Sequence, residues 1–448
     1  MFMTRKNALI LLIAMVFSGG ISAQEINTAK LDSFFNALNS NNKGMGSFAI
    51  SQGNKIVYQK SLGYSLIDTV NKVAATPNTL YRIGSITKTF TATLIFQLID
   101  EKKLTLNTKL AKYFPQIPHA GQITVANLLS HKSGLADYVN DAKDQSWITN
   151  PHTKAEILDT ITKGKIHFEP GTDQLYCNSG YWLLGNIIEK ITGKPYGKVL
   201  TERIIKKTGL LHTFSSLPNN SDRLEARAYK PLPSWTEVKD IYFPNVIGVG
   251  DILSTPNDMV TFLNALLAGK LVSPESLSQM KSFTDNSPFG MGLIKVPFYN
   301  KTGMGHNGGT YGTYSTLYKF ADNDLAFASC INGLNYPIND ISIAILSICY
   351  NQPYQIPSFK APLLTAQELD AVLGVYASKQ IPLKITFSKE GSILIGQATG
   401  QSAFPLESVT KDQFKVNALG IAVEFNREKE EMILKQGGMT YLFVKEKN

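Results

Sequence analysis

The sequence predicts an α+β protein: an antiparallel sheet flanked by helices and interrupted by a mostly helical insertion, followed by a small all-β barrel or sandwich. Strand-like runs lie near both ends of the first 350 residues, with helical patterns between them. The segment 351–364 contains three prolines and interrupts both patterns. Beyond it, strand-like runs recur roughly every ten residues, with turn residues between them.

The N-terminus has the composition of a secretory signal peptide. Arg5 and Lys6 precede an apolar run over residues 8–17, and small residues allow cleavage after Ala23. A retained anchor helix is the alternative, but the apolar run is shorter than the roughly 20 residues of a typical membrane span. We therefore expect a periplasmic or secreted protein whose mature chain, from residue 24, has no transmembrane segment.

Composition and charge indicate an ordinary globular protein. The 448 residues are 43% hydrophobic and 18% charged, with a formal net charge of +9. The basic excess is spread along the chain, which favours a mild attraction to anionic surfaces and gives no nucleic-acid footprint. We expect a signal peptide at 1–23, a main α+β domain at 24–350, a linker at 351–364 and an all-β domain at 365–448.

The cysteines and histidines show no pattern of a disulfide framework or a metal site. The three cysteines are an odd number, and although Cys330 and Cys349 could pair, both lie in apolar stretches typical of buried thiols. There is no H-E-x-x-H motif and no close cluster with zinc-ligand spacing. We expect no metal and no cofactor.

The elements of the main domain follow from hydrophobic periodicity and end signals. The predicted helices occupy residues 24–43, a long segment from Ser85, residues 179–193, residues 256–269 after an N-cap at Thr255, and residues 339–350. Strands are predicted on either side of the turn Gln52-Gly53-Asn54 and again over residues 289–333.

Ser85 and Lys88 form the S-x-x-K pattern that is best placed for nucleophilic chemistry. Three residues apart on a helix, the two side chains lie on one face, so a neutral lysine can take the serine proton. The same pattern also occurs at Ser40-Lys43, Ser278-Lys281 and Ser408-Lys411. Only Ser85 opens a long apolar helix directly after a strand-like segment, and burial of such a helix favours a neutral lysine. A helix cap with a solvated lysine is the simpler alternative.

A Y-x-N triplet supplies the second group of candidates. A tyrosine near a nucleophile can relay a proton, and an amide can hold a substrate's acyl group. The triplet occurs twice, as Tyr138-Val139-Asn140 and as Tyr176-Cys177-Asn178. The second follows a Pro-Gly turn and precedes an amphipathic helix, which would present Tyr176 and Asn178 from a rigid loop. An ordinary turn tyrosine is the alternative for Tyr176.

These motifs together resemble the serine β-lactamase and penicillin-binding superfamily. The order is Ser85-Ile86-Thr87-Lys88, then Tyr176-Cys177-Asn178, then a later H-x-G. The tyrosine variant resembles the class C β-lactamases and the D-Ala-D-Ala carboxypeptidases, D-aminopeptidases and esterases grouped with them. The connecting segments 123–135 and 248–269 are similar as well, so the resemblance spans about residues 25 to 350. The C-terminal region resembles the lipocalin-like domain often attached to these hydrolases.

The resemblance implies a role for each matching position. Ser85 would form the acyl-enzyme, while Lys88 and Tyr176 would share the proton transfers. Asn178 would contact the substrate and Lys88. The oxyanion would be bound by the backbone N–H groups of Ser85 and of Gly309, the residue after the third motif.

Two triplets compete for the third motif, namely Lys301-Thr302-Gly303 and His306-Asn307-Gly308, which Gly309 follows. We expect residues 300–303 to form a polar hairpin turn, whereas the second triplet leads through glycines into a strand. Family sequences place a glycine six residues after the first motif residue, which is Gly312 counted from His306 but Asn307 counted from Lys301. We therefore assign His306, and regard His119-Ala120-Gly121 as a decoy because it precedes Y-x-N.

Histidine at this position shifts the expected substrate. Within the family, H-x-G is typical of D,D-carboxypeptidases and D-peptidases, and K-T-G of class C β-lactamases. We expect a D-amino-acid peptidase or D,D-carboxypeptidase-like enzyme that acts on a small peptide. A small-ester hydrolase, a β-lactamase and a slowly acylating penicillin-binding sensor are the alternatives. The partner of the C-terminal domain is left open by the sequence.

Overall fold

The computed structural model describes residues 25–68, 70–141, 144, 146–219, 224–231, 234–284, 287–359, 364–401, 403–416 and 419–446. The expected signal peptide at residues 1–23 lies outside the described residues, as does part of the expected linker, at 360–363. Among the described residues, no helix is both long and apolar enough to cross a membrane.

Strands from the two ends of the first 350 residues share one sheet. The strands of this domain are β1 (Gly44–Gln52), β2 (Lys55–Leu62), β3 (Tyr64–Ile67), β4 (Lys72–Ala74), β5 (Tyr81–Arg82), β6 (Tyr229–Lys230), β7 (Thr236–Glu237), β8 (Leu253–Ser254), β9 (Ile294–Phe298), β10 (Lys301–Gly309), β11 (Tyr314–Phe320) and β12 (Leu325–Leu334). The sheet has the order β2-β1-β12-β11-β10-β9, with β6 and β7 added beside β12. The pairs β3-β4 and β5-β8 form two small sheets of their own. Because β1 pairs antiparallel with β12, the predicted joining of the two chain ends is confirmed.

Helices cover both faces of this sheet. The helices of this domain are α1 (Thr28–Ser40), α2 (Thr87–Asp100), α3 (Val125–Leu129), α4 (Lys154–Lys163), α5 (Asn178–Thr192), α6 (Tyr196–Leu200), α7 (Lys206–Thr208), α8 (Pro256–Leu267), α9 (Pro274–Met280) and α10 (Ile338–Cys349). A further helix, α11 (Ala366–Asp370), packs against the C-terminal strands. One buried cluster joins α1 and α10 to the sheet, and a larger one joins α2, α5 and α8 to its other face. The N-cap at Thr255 is confirmed, since its side chain accepts the N–H of Asp258.

Helix α2 is buried on all sides. Its residues from Thr87 to Leu98 are all buried, so it runs through the core instead of lying amphipathically on the surface. Two of its threonines avoid an unpaired hydroxyl by donating to carbonyls of neighbouring segments: Thr89 to Gly292 and Thr91 to Gly248. The helix that carries Lys88 is therefore fixed by both packing and hydrogen bonds.

The C-terminal strands form a closed barrel. They are β13 (Gly374–Ala377), β14 (Lys384–Glu390), β15 (Ile393–Ala398), β16 (Phe404–Ser408), β17 (Gln413–Val416), β18 (Ile421–Asn426), β19 (Glu431–Gln436) and β20 (Met439–Lys445). Each strand pairs with the next and β20 closes on β13, so the barrel, not the sandwich, is the observed form. Its interior has its own hydrophobic core, separate from those of the sheet.

One of the rejected S-x-x-K patterns, Ser40-Lys43, has a structural role here. Lys43 is buried and its ammonium lies 2.6 Å from Glu407, which is on barrel strand β16. Asn335, just after β12, donates to the same carboxylate at 2.9 Å. The described cysteines, Cys177, Cys330 and Cys349, are all buried free thiols, as expected for the last two.

Phe90 provides a test of the packing that holds α2. Its ring stacks on Phe262 of α8 with centroids 3.6 Å apart, and both residues are fully buried. We predict that Phe90→Ala destabilises the fold by about 3–5 kcal/mol, because removal of a buried ring loses transfer energy and leaves a cavity. Urea unfolding followed by tryptophan fluorescence would measure the shift in midpoint.

Leu211→Ala is the matched control for this prediction. Leu211 is 77% exposed, so its replacement by alanine should change the free energy of unfolding by less than about 0.5 kcal/mol. An equal effect of the two substitutions would contradict the described packing of α2.

Candidate active site

The sheet and α2 bring Ser85 and Lys88 together at the start of the buried helix. Ser85 lies in a short 3-10 turn, Gly84–Ile86, from which α2 continues. Lys88 is fully buried, and its Nζ lies 2.9 Å from Ser85 Oγ and 3.1 Å from the carbonyl oxygen of Val249. Burial lowers the pKa of Lys88 to about 7, against the opposing charge of Asp137. A neutral Lys88 amine is therefore accessible near pH 7, in position to accept the Ser85 proton.

Tyr176 completes this group from the loop that precedes α5. Its hydroxyl is within hydrogen-bonding reach of Ser85, and its ring lies 4.9 Å from the Lys88 ammonium. Burial raises the pKa of Tyr176 above its usual value, and the bond to Ser85 only partly opposes that shift. The phenol is consequently protonated at neutral pH and can donate a proton to a leaving group near Ser85.

Asn178 is oriented by a carboxylate that the sequence did not point to. Its side-chain Nδ2 donates to Asp137 Oδ2 at 2.9 Å, and its backbone N–H donates to the same oxygen at 3.0 Å. Asp137 also accepts from the backbone of Val139 and Asn140. Asp137 is buried, so this carboxylate fixes the Asn178 amide and the rejected Tyr138-Val139-Asn140 triplet in one arrangement. The only sequence signal was an acidic residue directly before that triplet.

Both competing triplets lie on β10, and the predicted turn is wrong for the first of them. The hairpin turn is at Tyr299 and Asn300, whereas Lys301 already pairs with Phe298 of β9. Tyr299 takes the left-handed φ of +50° that the tight turn needs, so the following lysine is free to start the strand. The Lys301 ammonium bonds to Asp322 at 3.3 Å and lies over the Tyr350 ring, away from Ser85.

His306 is buried near Tyr176, with ring centroids 6.5 Å apart. Its Nδ1 lies 2.5 Å from the carbonyl oxygen of Asn307. Burial lowers the pKa of His306 to about 4, with a smaller contribution from Lys88. His306 is therefore neutral at pH 7, and it presents no fixed positive charge to the site.

The glycines after His306 bring β10 against the turn that carries Ser85. A Cβ placed on Gly308 would lie 2.1 Å from the carbonyl oxygen of Ile83 and 3.0 Å from the backbone N of Ser85. Only glycine permits this approach. A Cβ placed on Gly84 would lie 2.8 Å from the backbone N of Gly309, and the Ser315 hydroxyl of β11 donates to the carbonyl oxygen of Ile83 at 2.7 Å. The backbone of Gly84 and Ser85 thus packs directly against that of Gly308 and Gly309, which brings the two expected oxyanion donors into the same part of the site.

A cavity of about 230 Å³ opens over Ser85. Four of the predicted residues, Ser85, Tyr176, Asn178 and Gly309, line it. The remaining described lining residues are Gly84, Val139, Asn140, Ile241, Val246, Val249, Gly250, Thr310 and Tyr311. Sequence reasoning missed Asn140, which it had set aside with the first Y-x-N triplet, and the pair Thr310 and Tyr311.

The described wall of the cavity has no charged side chain. Its polar groups are hydroxyls, amides and backbone, and the carboxylate of Asp240 lies behind the wall, where it accepts from Thr310 and from the backbone N–H of Tyr311. Within the described residues, no group of three His, Cys, Asp or Glu side chains could hold a metal ion. The arrangement suits acyl transfer: a serine with a lysine base, a tyrosine acid and two backbone donors.

Comparisons with known proteins agree with this arrangement. Residues 34–346 match the family model described as Beta-lactamase. The PbpX protein of Bacillus subtilis (strain 168) is 30% identical over 255 residues, which are 56% of this chain and 62% of PbpX. The teichoic acid D-alanine hydrolase of Staphylococcus aureus is 28% identical over 286 residues, 61% of this chain and 67% of that protein. The alignment with PbpX therefore spans less than two thirds of that relative.

A solved structure extends the similarity to three dimensions. The D-amino acid amidase from Ochrobactrum anthropi SV3, complexed with L-phenylalanine amide, aligns with a TM-score of 0.63 at 26% identity. The alignment covers 72% of this chain and 99% of the amidase.

The buried lysine predicts a pH dependence of acylation at Ser85. Lys88 accepts the serine proton only when neutral, and its pKa is lowered to about 7. We expect kcat/KM for a p-nitrophenyl ester to rise roughly tenfold per pH unit below that value and to level off above it. A stopped-flow profile from pH 5 to 9 measures this dependence.

His306→Gln is the control for this pH profile. Because the pKa of His306 is already lowered to about 4, its replacement should leave the inflection near pH 7 in place. If the inflection vanished in His306→Gln, Lys88 would not be the titrating base, whereas an inflection near pH 10 in the unaltered protein would contradict the lowered pKa of Lys88.

Proposed function

The chain belongs to the Beta-lactamase family, and on that basis we propose that it is a serine hydrolase that cleaves amide or ester bonds through an acyl intermediate on Ser85. The observation that carries the proposal is the 2.9 Å contact between Ser85 Oγ and a fully buried Lys88. A solvated lysine would remain protonated at pH 7 and could not act as a base, whereas burial removes that obstacle.

The acylation step follows from the geometry of the site. Ser85 Oγ attacks the substrate carbonyl while its proton passes to Lys88, and the resulting oxyanion is bound by the backbone N–H groups of Ser85 and Gly309. Collapse of the tetrahedral intermediate breaks the bond to the leaving group, which takes a proton from Tyr176. Lys88 returns a proton to the tyrosinate, so that acylation ends with both groups in their starting states.

Deacylation repeats the sequence with water in place of Ser85. Lys88 and Tyr176 together take a proton from the water, whose oxygen attacks the acyl-serine carbonyl. The same two backbone donors bind the second oxyanion, and Ser85 leaves with a proton returned from the pair. The net reaction consumes one water and releases a carboxylic acid, with no cofactor in the sequence of steps.

We infer that the acyl group is that of a D-amino acid. One relative is named for hydrolysis of teichoic acid D-alanine, and the aligned structure is that of a D-amino acid amidase. A D-amino-acid peptidase would form the same kind of acyl group on Ser85. The cavity adds a restriction on the leaving side: its described wall has no charged side chain and His306 is neutral, so a substrate carboxylate would find hydrogen-bond donors but no cation to pair with. D-amino-acid amides, esters and blocked peptides fit better than peptides with a free D,D-carboxylate.

The substrate preference is tested with matched pairs. We expect D-alanine p-nitroanilide to be hydrolysed at least tenfold faster in kcat/KM than its L enantiomer, and N-acetyl-D-Ala-D-Ala amide faster than the free acid. p-Nitrophenyl butyrate and nitrocefin complete the panel. Faster turnover of p-nitrophenyl butyrate than of any D-aminoacyl substrate would support the small-ester hydrolase instead. Turnover of nitrocefin alone would identify a β-lactamase.

Two serine variants establish where the reaction occurs. Ser85→Ala should lose at least about 10⁴-fold in kcat, because the nucleophile is removed. Ser278→Ala should keep full activity, since Ser278 belongs to a second S-x-x-K pattern in α9 that is separate from the cavity. A fluorescent penicillin that labels Ser85 for hours, with no substrate turned over, would support the slowly acylating sensor.

We also propose that the chain is exported, as the N-terminal pattern of residues 1–23 indicates. We expect the protein recovered from the periplasm or medium of an expressing bacterium to begin at Gln24. N-terminal sequencing would measure this, and a chain that retains residues 8–17 in the membrane fraction would favour the anchor helix.

A further inference from the structure

His131 lies directly behind Tyr176, in the segment 123–135 that resembled the family but carried no assigned role. The residue is 3% exposed and lies in the loop after α3. Its ring packs on the Tyr176 ring with centroids 4.4 Å apart at a tilt of 30°. Phe289 contacts both rings, at 5.4 Å and 5.8 Å, so that Tyr176 is enclosed on the side away from the cavity.

His131 also binds the backbone on both sides of Tyr176. Its carbonyl oxygen accepts the N–H of Leu175 at 3.0 Å, and its Nδ1 accepts the N–H of Cys177 at 3.1 Å. One residue therefore contacts the backbone before Tyr176, the backbone after it and the ring itself. The two hydrogen bonds join segments more than forty residues apart in sequence, so they fix the tyrosine loop relative to the core.

The chemistry of His131 is that of a support and not of a base. Because Nδ1 accepts from an N–H, the ring proton of the neutral form is on Nε2. Burial lowers the pKa of His131 well below its usual value, with further contributions from Lys88 and His306, so it stays neutral in the working range. Its Nδ1 therefore stays unprotonated and can accept the Cys177 N–H at every pH at which Lys88 can act as a base.

The backbone conformation of His131 indicates that this placement has a conformational cost. Its φ is +58°, a left-handed value that is uncommon for any residue other than glycine, although histidine adopts it more often than most. The surrounding loop supports it: Lys132 donates to Asn127, and the Gln174 side chain donates to Ser130. Strained residues of this kind persist where the neighbouring structure fixes them.

From these contacts we propose that His131 is a positioning residue for Tyr176. It sets the distance between the Tyr176 hydroxyl and the leaving group of a substrate bound at Ser85. The inference rests on the proposed acyl transfer at Ser85. Its effect should appear in the steps that use Tyr176 and not in substrate binding, because His131 is behind the cavity wall. A misplacement of about 1 Å in a catalytic group is enough to cost about 100-fold in rate.

Two substitutions separate the parts of this role. His131→Ala removes both the ring and the acceptor, and we expect kcat to fall 30- to 100-fold with KM changed less than threefold. His131→Asn tolerates the left-handed φ and supplies an amide oxygen where Nδ1 accepted, so it should recover at least tenfold of that loss. A purely structural role would lower stability and the amount of folded protein without this split between kcat and KM or this rescue.

His119→Ala is the matched control, because His119 also has a left-handed φ, of +59°, but lies at the surface beside Glu169. Alanine at this left-handed φ is expected to lower thermal stability, but kcat of His119→Ala should equal that of the unaltered protein. If His131→Ala keeps kcat within threefold, or if His131→Asn is no better than His131→Ala, His131 does not position Tyr176.

A structural readout keeps the inference separate from the proposed function. Crystal structures of the unaltered protein and of His131→Ala should differ by about 1 Å or more in the Tyr176 hydroxyl position, even if no substrate in the panel is hydrolysed. An unmoved Tyr176 would overturn the inference while leaving hydrolysis at Ser85 intact. A displaced Tyr176 in a protein without hydrolase activity would support the inference and contradict the proposed function.

Discussion

The burial of Lys88 is the constraint on which the rest of the structure depends. Its folded pKa of about 7 lies below the 10.5 of a solvated lysine, so the unfolded chain binds that proton more tightly. The free energy of unfolding therefore rises as the pH rises from 7 to 10.5. The destabilisation caused by burying Lys88, roughly 5 kcal/mol, applies in full below pH 7 and disappears above pH 10.5. The packing of α2, with its stacked Phe90 and paired threonines, is what offsets this cost and keeps the base in place.

The sheet positions the backbone on the side of the site opposite α2. Because β1 and β12 join the two ends of the main domain, β10 is held in a fixed register through β11. Gly308 can then approach the turn before α2 more closely than any residue with a Cβ could. The close packing at the Ser85 backbone thus depends on a sheet whose strands are far apart in sequence. The base, Lys88, comes from the buried helix α2, so neither element could form the site alone.

The parts that the sequence predicted are those with a local signal. Periodicity and end signals gave the order of the elements and the shared sheet, and the spacing of Ser85 with Lys88 and of Tyr176 with Asn178 identified residues that the structure brings together. The residues that were missed act across the chain: Asp137 reaches Asn178 and His131 reaches Cys177 through contacts that no window of sequence contains. The error at Lys301 has a similar origin, since a polar triplet becomes a strand when a neighbouring strand pairs with it.

The neutral histidine and the buried lysine are linked by the same low-dielectric environment. Burial lowers the pKa of both groups, and the charge of Lys88 adds to the lowering at His306. A second lysine at position 306 would add a cation to this enclosed cluster, so one of the two amines would lose its proton still more readily. With histidine there, Lys88 remains poised near pH 7 and the cavity stays uncharged. A base that works at neutral pH and the proposed preference for substrates without a free carboxylate therefore have one physical origin, the exclusion of water around Lys88 and His306.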